Sequence, residues 1–196
     1  MSQAAKFKAM LKSGKMIVAP GAIDCITGKL IEQAGFEAVY MTGAGTSATL
    51  GYPDYGLVTM TEMVANASRI ANSIQVPLIS DSDTGYGNEL NMFRTVQEFE
   101  RAGIAAIHVE DQVFPKKCGH LENKELVSRE DYIAKIRAAA AARFDCEPTE
   151  IELINGKAVA KSGRSVDFGR TAAQALENGA SPGVRPPVTS PAPVVP

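Results

Sequence analysis

The stretch Val76-Pro77-Leu78-Ile79-Ser80-Asp81-Ser82-Asp83-Thr84-Gly85-Tyr86-Gly87 changes character once, from apolar and β-prone to acidic and glycine-rich. Its first part, 76–80, is nearly continuous in apolar residues rather than alternating. That is the pattern of a strand buried on both faces, as in a parallel sheet covered by helices. The same unit recurs outward in both directions, with apolar runs at 16–19, 38–41 and 105–109. Each is followed by a Gly- or Asp-rich connection and then by an amphipathic stretch ending at glycine. Repeated βα units of this kind predict an α/β fold with four parallel strands.

The intervening stretches carry helix signals as well as helical period. Ile26, Leu30, Ile31 and Ala34 recur between a capping Asp24 and Gly35, and Met63, Ala67, Ile70, Ala71 and Ile74 follow the capping-box pair Thr59 and Glu62. Met92, Val96 and Phe99 lead to Gly103, while Ser128 with Asp131 opens a helix through Ile133, Ile136 and Ala140. Four helices therefore follow four strands. A weak internal echo, Gln33-Ala34-Gly35-Phe36 against Arg101-Ala102-Gly103-Ile104, marks successive αβ joints built alike.

Beyond Arg143 the unit stops. Residues 144–170 mix charges, glycines and short apolar pairs, 171–177 suit one short helix before Gly179, and 181–196 hold six prolines without periodicity. The last of these predicts a disordered or extended tail. The expected organisation is a partial barrel over 1–143, an unassigned region over 144–180 and a Pro-rich tail over 181–196. A complete (β/α)8 barrel takes about 250 residues, so about half of one is recognisable.

With 45% hydrophobic and 21% charged residues among 196, the chain has the composition of a packed globular domain. A net charge of −2 with interspersed signs excludes the basic footprint of a nucleic-acid binder or a polybasic membrane segment. Residues 1–15 carry four lysines but no signal-peptide core. No apolar run approaches the roughly 20 residues of a membrane span, and a cytoplasmic protein is expected. Cys25, Cys118 and Cys146, sparse and without CxxC spacing, argue against a disulfide framework or a structural zinc site.

In parallel α/β folds sites form at the carboxyl ends of the strands, and here those positions are polar and acidic. After the second strand comes Thr42-Gly43-Ala44-Gly45-Thr46-Ser47, a small-residue loop whose amides can approach a carboxylate, or else merely a tight turn. After the third, Asp81 and Asp83 lie two apart, so strand alternation would aim both at one hard cation, Mg²⁺ or Mn²⁺. A solvated acidic loop is the alternative, although two carboxylates following a buried strand repel without a cation. Glu110, after the fourth strand, is a third candidate ligand, or else a cap or a surface charge. In Lys116-Lys117-Cys118-Gly119-His120 a thiol stands beside two lysines and an imidazole, where its pKa would be lowered, and the glycine leaves the loop free to open and close. Most loop cysteines are inert, but this density of proton-transfer groups points to function. Cys25 and Cys146 receive no role.

Taken in order, Pro53-Asp54-Tyr55-Gly56, Asp81-Ser82-Asp83-Thr84-Gly85-Tyr86-Gly87, Val109-Glu110-Asp111-Gln112 and Lys116-Lys117-Cys118-Gly119-His120 resemble the isocitrate lyase and phosphoenolpyruvate mutase superfamily over residues 7–143. The last segment is similar to the specific lyase signature Lys-Lys/Arg-Cys-Gly-His. The resemblance implies a TIM (β/α)8-type barrel of which this chain shows about the first four units. It also implies a Mg²⁺-dependent carbon–carbon lyase of the methylisocitrate or dimethylmalate type, splitting a 2-hydroxy di- or tricarboxylic acid into a 2-oxo acid and a second carboxylate. Thr42, Gly43 and Ala44 would hold the substrate carboxylate, and Asp81 and Asp83 would position Mg²⁺ (or Mn²⁺) with Asp54 and Glu110 in its outer shell. Cys118 would deliver a proton to the carbanion-like product, with Lys117 and His120 beside it in the catalytic set and with Gly119 and His120 supporting the loop and binding substrate.

The resemblance also defines what is not found. After the fourth helix the superfamily continues with a strand bearing a substrate-binding arginine, further strands with glutamate and asparagine ligands, and a helix exchanged between subunits; none is recognisable after Arg143. A half barrel leaves sheet edges unpaired and apolar interior uncovered, so a homo-oligomer is expected. The expected partner is otherwise a small carboxylic acid, with no nucleic acid and no membrane. A 2-oxo acid decarboxylase, a phosphonate-processing member and a truncated non-catalytic fragment stand as alternatives. The Cys-Gly-His loop, generally absent from the phosphonate-processing members, favours lyase chemistry.

Overall fold

A computed structural model of the chain describes residues 2–167. Strands β1 (Gly21–Ala22), β2 (Val39–Met41), β3 (Leu78–Asp81) and β4 (Ala106–His108) form one parallel sheet in the order β1-β2-β3-β4. Three of the four expected runs hold their strand. The first does not: residues 16–19 are not a strand, and β1 starts after Pro20. Carrying the register Gly21↔Tyr40 backwards sets 16–19 against 35–38, the joint leading into β2, where no extended backbone runs alongside. Met16 is accordingly 89% exposed.

Helices α2 (Cys25–Gln33), α4 (Met60–Ser73), α5 (Glu89–Arg101) and α6 (Arg129–Phe144) occupy the four expected places. Their starts follow the capping chemistry. Asp24 accepts the Thr27 N–H at 2.8 Å, Thr59 and Glu62 cap each other reciprocally, Asn88 and Asn91 do the same, and Ser128 accepts the Asp131 N–H at 3.0 Å. Among the described residues two α-helices were not anticipated. In α1 (Gln3–Lys12) no residue is buried, so no apolar stripe announces it; Gln3 and Lys6 tie it to the Gln75 carbonyl at 3.0 and 3.2 Å. Residues 42–47, read as a loop or turn, instead hold the N-cap Thr42 and most of α3 (Gly43–Thr49), a helix that propensity disfavours and that the packing of buried Gly43, Thr46 and Ser47 imposes.

The main core lies between the sheet and its helices, with Val39, Met41 and Leu78 from strands against Met63, Ala67, Ile70 and Phe99 from α4 and α5. Each large side chain fully buried there stabilises by about 1.5–3 kcal/mol. Because all four strands run the same way, the segments after β2, β3 and β4 gather at one end.

Residues 144–167 are not patternless. Strands β5 (Ile151–Ile154), β6 (Lys157–Ala160) and β7 (Ser165–Asp167) form an antiparallel sheet in sequence order. Asn155 and Gly156 turn β5 into β6 with φ of 49° and 72°, the two left-handed residues that a tight hairpin requires. This sheet packs on α6 through Ala140, Ala141, Phe144, Ile151, Ala158 and Ala160. The helix expected at 171–177 and the tail expected at 181–196 lie outside the described residues. Among the described residues no helix is long and apolar enough to cross a membrane.

Candidate functional site

Asp81 closes β3 at 6% exposure, and its carboxylate is held by two backbone N–H groups, Gly43 to Oδ2 at 3.1 Å and Asp83 to Oδ1 at 2.9 Å. The second bond corrects the expected geometry. Asp83 lies beyond the strand with φ 47°, a left-handed conformation that aspartate tolerates, so the two aspartates converge through a local turn closed by Asp81 rather than through strand alternation. The end of β4 is stitched to this turn, with the Ser82 N–H and hydroxyl donating to the His108 carbonyl at 3.0 and 2.7 Å and the Glu110 N–H donating to the Asp83 carbonyl at 2.8 Å. Those bonds carry Glu110 to the cluster.

The Lys116 ammonium stands among these carboxylates. It lies 2.7 Å from Asp54 Oδ1, 3.1 Å from Asp83 Oδ1 and 3.8 Å from Glu110 Oε1, and the residue is 2% exposed. The lysine that meets the acidic residues is therefore Lys116. Lys117, the one expected in the catalytic set, sends its ammonium to the Asn123 carbonyl at 3.1 Å. Burial raises the pKa of Asp83, reinforced by Asp81 and opposed by Lys116; burial likewise raises that of Glu110, with Lys116 opposing and Asp81 and Asp83 adding. Burial lowers the Lys116 pKa, but the hydrogen bond to Asp54 and the charges of Asp83 and Glu110 outweigh it, and the net shift is upward.

The cysteine strap is pinned to the same cluster. The Cys118 N–H donates to the Asp54 carbonyl at 2.9 Å, and Lys124 holds the Gly119 and Leu121 carbonyls at 2.8 and 2.6 Å. The half-exposed thiol lies 3.6 Å from His120 Nδ1. Of the cationic neighbours expected around it, the imidazole is in reach, while both lysine ammonium groups are directed to the partners described above. Gln112, at 6% exposure, links strap to cluster. Its amide NH₂ donates to Glu110 Oε2 at 2.6 Å and to the Lys117 carbonyl at 2.9 Å, and its carbonyl accepts the Lys117 N–H at 3.1 Å.

The expected carboxylate-holding residues divide. The Gly43 N–H is used on Asp81, and a β-carbon at Gly43 would stand 2.3 Å from Asp81 Oδ2, so glycine is needed there for close approach rather than for a turn. Thr42 accepts the Gly45 N–H at 3.1 Å as the cap of α3, and Ala44 is exposed. Residues without an assigned role from sequence also belong here. Tyr40 on β2 reaches His108 Nδ1 at 3.1 Å, and Lys135, buried on α6, donates to the Thr84 carbonyl at 3.1 Å. Lys116 and Gln112 both sat inside quoted motifs, but nothing in spacing tells which of two adjacent lysines turns inward.

The residues present fit a hard divalent cation. Three carboxylates face one ammonium and Asp81 adds a fourth beside them, an excess of negative charge, and the acidic donors are oxygen throughout. Among the described residues no three His, Cys, Asp or Glu side chains are grouped closely enough to hold an ion between them.

A family model described as phosphoenolpyruvate phosphomutase matches residues 7–152. The chain is 55% identical over 146 residues to 2,3-dimethylmalate lyase of Eubacterium barkeri, covering 74% of this chain and 50% of that protein. It is 48% identical over 136 residues to 2-methylisocitrate lyase of Aeropyrum pernix, covering 69% and 44%. Among solved structures, 2,3-dimethylmalate lyase superposes with a TM-score of 0.71 at 44% identity over 74% of this chain and 49% of that one. Phosphonopyruvate hydrolase in complex with oxalate and Mg²⁺ superposes with 0.67 at 38% identity over 73% and 49%. The chain thus spans about half the length of the curated relatives it matches, and its parallel sheet with covering helices corresponds to part of a TIM-barrel fold.

Proposed function

The chain belongs to the phosphoenolpyruvate phosphomutase family, within the superfamily that includes 2,3-dimethylmalate lyase, and from that membership we propose that it serves a divalent-cation-dependent carbon–carbon lyase acting on a 2-hydroxy di- or tricarboxylic acid of the dimethylmalate or methylisocitrate type. The observation that carries the reading is the seating of Cys118, whose backbone hydrogen-bonds the Asp54 loop at 2.9 Å while Lys116, two residues before it, enters the carboxylate cluster. That anchoring of the strap supports reading Cys118 as a proton donor near an oxygen-rich cation site.

The chemistry asks for that pairing. As the substrate hydroxyl gives its proton to solvent water and becomes a carbonyl, the adjacent carbon–carbon bond breaks and leaves its electron pair on a carbon next to a carboxylate. Mg²⁺, held by Asp81 and Asp83 with Asp54 and Glu110 behind them, would supply charge stabilisation for the 2-oxo acid fragment. Cys118 protonates the carbanion, and His120, 3.6 Å from the sulfur, is the group placed to exchange that proton. Thr42 and Ala44 at the start of α3 border the substrate, and Gly119 and His120 complete the strap side. The protein acts as a homo-oligomer.

The test is turnover by the purified chain with Mg²⁺ on 2,3-dimethylmalate, 2-methylisocitrate, isocitrate and oxaloacetate, following the released carboxylic acids. Release from one of the three 2-hydroxy acids is the expected result. Turnover of oxaloacetate alone would replace the lyase reading with 2-oxo acid chemistry, and silence from folded protein across all four would overturn catalysis by this chain.

A further inference from the structure

We propose that Tyr86 positions the water shell of the divalent cation, its hydroxyl accepting a hydrogen bond from a water that the cation holds. The inference rests on the reading of the carboxylate cluster as the cation site.

The backbone at Tyr86 is one that its side chain disfavours. With φ of 59° the residue sits in the left-handed region, where a bulky aromatic side chain is an outlier and where persistence of the strain points to a use for the residue. The turn around it is fixed from two helices. From α5 the Thr95 hydroxyl donates to the Gly85 carbonyl at 3.1 Å, and from α6 the Lys135 ammonium donates to the Thr84 carbonyl at 3.1 Å. The surrounding structure thus imposes the conformation on Tyr86.

The hydroxyl adds a second cost. The Tyr86 ring packs against the main core, yet its oxygen is screened from solvent and has no hydrogen-bond partner among the described residues. Thr84, 0% exposed and next to Asp83 in the chain, leaves its hydroxyl unpartnered as well. Buried hydroxyls are normally satisfied, and a phenylalanine would fill the same place without that cost. Burial, and after it the charges of Asp83 and Asp81, hold the Tyr86 pKa well above its ordinary value. The phenol is therefore neutral, and it lies in the field of the two carboxylates assigned to the cation. Water bound to a dication is a strengthened donor, Mg²⁺ keeps several such waters, and a neutral phenol oxygen can accept from one of them. A hydrogen bond of this kind accounts for the hydroxyl and supports the turn that carries Asp83.

Mn²⁺ serves as the probe, and Y86F removes the hydroxyl while keeping the ring. Wild type and Y86F are titrated with Mn²⁺ by electron paramagnetic resonance and unfolded with urea in the presence of a chelator. Y86F is expected to bind Mn²⁺ about tenfold more weakly, as loss of a group that orients a metal's ligands does. Without metal its urea midpoint is expected to equal or exceed that of wild type, because an unpartnered buried hydroxyl has gone. Equal or tighter Mn²⁺ binding by Y86F overturns the proposal. A lower metal-free midpoint overturns it too, since the hydroxyl would then have its partner within the protein. Line broadening by isotopically labelled water counts the waters on Mn²⁺; the same count in both proteins is expected, and an added water in Y86F would make the phenol a direct ligand and overturn the water-mediated contact. If wild type itself does not bind Mn²⁺, the cation-site reading fails and the proposal with it, a result distinct from Y86F binding as tightly as wild type.

Discussion

Gly43 and Asp81 approach each other more closely than any larger residue would allow: the Gly43 N–H donates to Asp81 Oδ2 at 3.1 Å, and a β-carbon at Gly43 would stand 2.3 Å from that oxygen. A helix start and a strand end are thereby locked together at the centre of the site. G43A should force Asp81 aside, costing about 1–3 kcal/mol in stability and weakening Mn²⁺ binding. Denaturant unfolding and Mn²⁺ titration check this; unchanged affinity would show that Asp81 does not need that N–H.

The Lys116 ammonium contacts three carboxylates, and its removal leaves buried charge uncompensated. In the presence of a chelator K116M should lose about 3 kcal/mol of stability, and saturating Mn²⁺ should restore most of it. Thermal or urea unfolding with and without Mn²⁺ measures both. A variant as stable as wild type without metal would contradict the counter-ion role.

Gln112 touches both halves of the site through its three hydrogen bonds to Glu110 and Lys117. Q112A should cost about 1–3 kcal/mol and raise the alkylation rate of Cys118 about tenfold, because the strap opens more often. An unchanged alkylation rate would show that Lys124 and the Asp54 carbonyl suffice to hold the strap.

Burial holds the Asp83 carboxyl above its ordinary value of 3.8, reinforced by Asp81 and opposed by Lys116. The folded chain therefore keeps that proton to higher pH than the unfolded chain. Stability from this group is greatest below 3.8 and falls as pH rises toward the raised value. The metal-free wild type should lose stability relative to D83N as pH increases across that window. Urea unfolding in chelator at a series of pH values tests the sign, and a relative gain for wild type would reverse the assignment.

Much of this was legible from residue order. Buried parallel strands announce themselves as unbroken apolar runs, so β2, β3 and β4 were found, and Asp24, Thr59 with Glu62, and Ser128 marked helix starts by hydrogen bonds that involve near neighbours only. Local signals failed where tertiary packing decides. α1 lies on the surface without an apolar stripe, and α3 is helical despite two glycines and three residues of low helix propensity. The hairpin of β5 and β6 was missed although Asn155-Gly156 is a strong turn signal, because the flanking runs 151–154 and 157–160 do not alternate cleanly between apolar and polar residues. In the site, Asp81, Asp83, Asp54 and Glu110 do assemble, but that Lys116 rather than Lys117 turns inward follows from the path of the strap. Sequence spacing does not encode that path.

The central claim is that a thiol beside a cation site protonates the product of carbon–carbon cleavage. Its most direct test compares wild type with C118S in Mg²⁺-dependent release of the 2-oxo acid from 2,3-dimethylmalate and 2-methylisocitrate, with Mn²⁺ affinity measured on both proteins. C118S is expected to bind Mn²⁺ as wild type does but to turn over at least about 100-fold more slowly; equal turnover by the two proteins would contradict the proton-donor role of Cys118.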